Sequence, residues 1–67
     1  MRGVRSYYQQ IEVILEKWDK DAALEFKKYT ETHTPNYVYL WLMEKQKSDQ
    51  FPKEIESVMK DLFWEIQ

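Results

Sequence analysis

Cysteine is absent from this chain and histidine occurs once. The first absence excludes disulfides and thiolate metal sites, and the second excludes a histidine-rich metal cage. Glycine occurs only at Gly3, and proline only at Pro35 and Pro52. Few helix breakers beside many Glu, Lys, Gln and Leu favour helices. The longest apolar run, Tyr37 to Met43, is far short of the ~20 residues that span a bilayer, so no membrane partner is expected. "MRGVRS" carries two arginines with no apolar region behind them, which does not fit a signal peptide. A cytoplasmic location is the expectation. Charge of one sign is also lacking. Ten Lys/Arg stand against twelve Asp/Glu, a formal charge of −2, and no run forms a basic or acidic tail. Broad nonspecific binding to nucleic acid, which needs clustered cations against phosphates, is therefore disfavoured.

What is present is apolar and aromatic material, 43% and 16% of 67 residues. A chain this short makes one domain, residues 1–67, and buries only about 60% of the surface its unfolded form exposes. Without disulfides or metal, such a domain relies on dense packing or self-association. A homodimer is the expected form.

Residues 1–5 read as a flexible N-terminus. In "SYYQ", Ser6 and Gln9 match a capping box, and Tyr7, Ile11, Ile14, Leu15 and Trp18 follow as one apolar stripe. Glu16 and Lys20 are spaced as an i, i+4 pair. "WDKDAALEFKKY" fits either a continuation of that helix or a second one capped by Asp19 or Asp21; the second is favoured. It would carry Ala22, Ala23, Phe26 and Tyr29 inward. "TETHTP" is a connector in which Thr34 can cap and Pro35 can occupy the first helical position. "QKSDQFP" is the next connector, with Pro52 opening the last helix in the same way. There Ile55, Val58, Met59, Leu62, Phe63 and Ile66 repeat at three and four residues, with Glu56 and Lys60 as an i, i+4 pair.

"PNYVYLWLM", Pro35 to Met43, suits a buried strand by composition. A strand needs a neighbour, and no other segment alternates or carries hairpin residues. A helix running through about Lys47 is the better reading. Tyr37, Val38, Leu40 and Trp41 then share one side, and Tyr39 and Met43 another, with Asn36 and Gln46. A helix apolar all round is normally central, and so short a chain cannot readily cover both sides. One side is expected inside the fold and the other against another chain. The expected fold is all-α, a compact domain of three or four helices that self-associates.

Candidate chemistry is sparse. His33 sits in a threonine-rich connector near Glu31, and one imidazole needs further ligands or an oriented partner to act. The acid pairs Glu12 with Glu16 and Asp19 with Asp21 read as solvated helix faces. There is no phosphate-binding loop, no zinc-protease motif and no defensible Ser–His–Asp set. No catalytic residue, metal or cofactor is expected, and the chain reads as non-enzymatic.

Trp64 stands out. At 100° per residue it points away from the stripe of Ile55, Leu62 and Ile66, among Lys53, Ser57 and Lys60. Either another segment such as "MRGV" covers it, or it anchors a partner, a role for which tryptophan is enriched. Val13 is similarly off-stripe. Tyr39, Met43 and Trp64 are the candidate partner-binding residues. The expected function is a small regulatory or adaptor protein that binds another protein through apolar and aromatic helix faces. The alternative is a small helical DNA-binding regulator. Its recognition helix would be the Pro35 segment, where only Asn36 suits base edges, with Arg2, Arg5, Lys27, Lys28, Lys45 and Lys47 left for phosphates. A third reading is a subunit of a larger assembly.

Overall fold

The computed structural model describes residues 3–66. Among them are four helices and no strand: α1 (Arg5–Trp18), α2 (Lys20–Thr32), α3 (Pro35–Lys45) and α4 (Glu54–Glu65). Helix α1 packs against α2 and α4, and α3 packs against the same two helices. Each helix thus touches two others, and α1 and α3 lie diagonally opposite.

The break between α1 and α2 falls at Asp19, which is at once the C-cap of α1 and the N-cap of α2. Its backbone is extended, and its side chain accepts a hydrogen bond from the Asp21 N–H at 3.0 Å. One carboxylate satisfies an orphan donor at the positive end of α2. The chain therefore turns without glycine or proline. Because the turn separates Glu16 from Lys20, those two do not pair, and neither do Glu56 and Lys60. Among the described residues the ion pairs are Lys45–Glu25 at 3.4 Å and Lys47–Glu44 at 3.1 Å.

Other helix ends depart from expectation. Val4, not Ser6, precedes α1: its carbonyl accepts from the Tyr8 N–H at 3.0 Å and its side chain packs on the core. Burying Val4 starts the helix earlier and places Ser6 inside it. Of the segment expected to be flexible, Arg5 is already helical, and Met1 and Arg2 lie outside the described residues. Thr34 is the N-cap of α3 with Pro35 behind it, but its side chain makes no capping hydrogen bond. Helix α3 ends at Lys45, and the chain tightens through i→i+3 bonds to Lys47 and Ser48. Pro52 precedes α4 by two residues; its carbonyl accepts from the Ile55 N–H at 3.4 Å, and Lys53 is the N-cap.

The core is Ile11, Leu15, Ala23, Phe26, Val38, Leu42, Phe51, Ile55, Val58, Met59 and Leu62; among the described residues no polar or charged residue is buried whole, though the Tyr8 hydroxyl oxygen is buried. Aromatic rings join α2 to its neighbours. Tyr8 meets Phe26 edge-on at 5.8 Å, and Trp41 lies 5.5 Å from Phe26 and 5.9 Å from Tyr29. Lys45, paired with Glu25, sits 5.2 Å over the Trp41 ring. Trp18 is partly exposed and closes the far end edge-on against Phe51 at 5.3 Å.

Helix α3 corrects one expected face. Val38 and Leu42 point inward, while Tyr37 and Leu40 are exposed. At 100° per residue the bisector of Val38 and Leu42 is opposite Leu40. The inward side follows α2 and α4, which seat Trp41 and Tyr39 on its two flanks. Phe63, expected in the core stripe of α4, lies at its exposed edge.

Candidate protein-docking surface

Helices α3 and α4 run antiparallel. Near one end Tyr39 meets Phe63, with ring centroids 5.4 Å apart at 41°. Near the other, Gln46 and Glu56 line one shallow groove. Phe63 in turn lies 6.2 Å from Trp64, at 71°. The three rings form a row from the half-buried Tyr39 to Trp64, which is 72% exposed. No described residue covers that indole. Met43, also exposed, follows Tyr39 by one turn of α3.

The candidate residues are therefore joined. Tyr39 and Trp64 connect through Phe63, and Met43 extends the row along α3. Tyr39 also packs on the core from one side, so it is shared between the interior and the surface. Leu40 and Tyr37 carry the apolar band around α3. Sequence reasoning placed those two, and Phe63, on inner faces. The available signal was the pair Val38 and Leu42: once these are taken as the inward i, i+4 pair, Leu40 must face out.

The remaining candidates form no constellation. His33 caps the C-terminus of α2: its ring stacks on Tyr29 at 3.8 Å, and its Nδ1 lies 2.9 Å from Thr32 Oγ1 and 3.2 Å from the Tyr29 carbonyl. No carboxylate orients it. Among the described residues no group of three or more His, Cys, Asp or Glu is placed to hold a metal ion. No helix of the described residues is long and apolar enough to cross a membrane. Cations are interleaved with acids: Lys45 and Lys47 are paired, and Arg5 and Lys27 share a groove with Glu12 and Glu31. Burial raises the Tyr8 phenol above its ordinary value, and its oxygen has no hydrogen-bond partner.

No family model, curated protein or solved structure matches this chain.

Proposed function

We propose that this protein is a non-enzymatic regulatory or adaptor module that binds another protein through the apolar band of α3 and α4. The row Tyr39–Phe63–Trp64, continued by Met43, carries the reading. The largest contiguous apolar patch on a soluble monomer, typically about 300–600 Å², is often functional. Tryptophan and tyrosine are the residues on which binding energy concentrates. Partner binding would occlude or bridge a surface without covalent chemistry. Self-association through the same helices belongs to this proposal.

Capture of partner protein from the native host tests it, using tagged full-length chain as wild type, Trp64→Ala and Val13→Ala. The expected result is a discrete protein retained by wild type and Val13→Ala and lost with Trp64→Ala. Equal retention by all three overturns the proposal.

A further inference from the structure

Asp19 is the single residue between α1 and α2, and neither glycine nor proline holds the corner. The helical bonding pattern reaches it from both sides. The Asp19 N–H donates to the Leu15 carbonyl at 2.6 Å, and the Ala23 N–H donates to the Asp19 carbonyl at 3.1 Å. Between them, the N–H groups of Lys20, Asp21 and Ala22 reach no backbone carbonyl among the described residues. The Asp19 carboxylate accepts only the one from Asp21.

Rotating Asp19 from its extended φ −160°, ψ 112° into the helical region joins α1 and α2 as one helix over residues 5–32. No proline or glycine opposes that rotation. It closes the backbone bonds of Lys20, Asp21 and Ala22, sets Glu16 and Lys20 one turn apart, and gives up one cap. Residues 16–21 are all exposed, so straightening the corner unpacks no buried side chain of its own. The apolar pattern is already in phase across it. Ile11, Leu15, Trp18, Ala22, Phe26 and Tyr29 follow at three and four residues. On a continuous helix they fall within an arc of about 80°. The two arms of a hairpin need no shared phase, whereas one long helix packed along its length does.

A straight helix carries α1 off its seat on α2 and α4. The segment that fits the vacated seat is α1 itself, and the α1 of a second straightened copy supplies it. The exchange is reciprocal about a two-fold axis and rebuilds the contacts of the closed chain, the low-cost route to a dimer that short hinges invite. We propose that the Asp19 corner is an exchange hinge: it opens into one continuous helix, and two copies swap α1. The proposal does not rest on the docking surface, since α3 and α4 keep their mutual packing in both forms.

Two substitutions push the hinge in opposite directions. Asp19→Ala removes the cap that only the closed corner uses. Lys20→Pro occupies the first position of α2, where proline fits and the extended Asp19 before it is favoured, but proline breaks a continuous helix. Wild type, Asp19→Ala, Lys20→Pro and the double variant are unfolded in urea, refolded at low and high protein concentration, and measured by sedimentation. Asp19→Ala is expected to raise the dimerisation constant at least about tenfold, because both corners of a dimer lose a cap. Lys20→Pro is expected to abolish that gain in the double variant. No gain, or a gain that survives Lys20→Pro, overturns the proposal.

Spin labels separate exchange from any other dimer, and the absence of cysteine keeps the labelling specific. Gln9→Cys and Lys27→Cys line one groove in the closed chain, whereas a continuous helix sets them about 27 Å apart along one face. With labelled chain diluted in unlabelled chain, only distances within one chain are read. The long distance is expected to dominate the Asp19→Ala dimer and to grow with concentration in wild type. A dimer that keeps only the short distance, or a wild type without the long one at every concentration, also overturns the proposal.

Discussion

Tyr39 of α3 and Phe63 of α4 hold their rings 5.4 Å apart; Tyr39 packs on the core, and Phe63 is 37% exposed. This contact joins the interior to the exposed Trp64. Core and proposed docking surface therefore share a boundary, and substitutions on its two sides have different expected costs.

Trp41 and Leu42 lie on the inner side. Leu42 is fully buried, and Trp41 contacts Phe26, Tyr29 and Lys45. Leu42→Ala is expected to cost about 2–5 kcal/mol and Trp41→Ala about 3–5 kcal/mol, from lost transfer energy and the cavity left behind. Urea unfolding checks both. A loss below about 1 kcal/mol for Leu42→Ala would contradict the assigned core.

Tyr8 carries a hydroxyl oxygen that is buried without a partner. A buried unsatisfied polar group costs about 1–3 kcal/mol. Tyr8→Phe keeps the edge-on contact with Phe26 and is expected to be neutral or to stabilise by about 1 kcal/mol. Thermal unfolding that shows a loss of that size instead would mean the hydroxyl is satisfied.

The same residue sets an alkaline limit. Burial raises the Tyr8 pKa above its ordinary value of 10.0. In the unfolded chain this phenol loses its proton first, so the folded state binds more protons above that value. Stability should fall as pH rises through about 10 and onward to the raised folded pKa. Unfolding midpoints followed across that range should decline less steeply for Tyr8→Phe than for wild type. Parallel declines would remove Tyr8 as the cause.

Asp19 makes the corner between α1 and α2 through its bond to the Asp21 N–H. Asp19→Ala is expected to destabilise the fold by about 1 kcal/mol, and Asp19→Asn by less, since the amide oxygen can still accept. Denaturant midpoints of the two variants give the comparison. Equal losses would show that charge, not the cap, matters there.

The helices were legible in the sequence where periodicity was strong. The α1 stripe is buried at Ile11 and Leu15, and the α4 stripe at Ile55, Val58, Met59 and Leu62. An aspartate cap at this corner was legible from residue type, but not whether Asp19 or Asp21 makes it, since both carry a carboxylate; the extended backbone at Asp19 decides it. The faces of α3 were less so. A continuous apolar run contains no polar residue to mark the outward side, and only the positions of α2 and α4 decide that Leu42 is inside and Leu40 outside. Trp64 was legible as off-stripe because the rest of α4 is strictly periodic. Its connection to Tyr39 was not, since it depends on the register of α3 against α4, which places Phe63 between them.

Urea unfolding of Trp64→Ala beside Leu62→Ala, at a concentration where sedimentation equilibrium shows wild type and both variants to be monomeric, tests the central claim most directly. Leu62 is fully buried, two turns of α4 beyond the buried Ile55, whereas Trp64 is 72% exposed. The account predicts a loss of about 2–5 kcal/mol for Leu62→Ala and no more than about 0.5 kcal/mol for Trp64→Ala. A Trp64→Ala variant that loses as much as Leu62→Ala would make the tryptophan part of the core and contradict the docking surface.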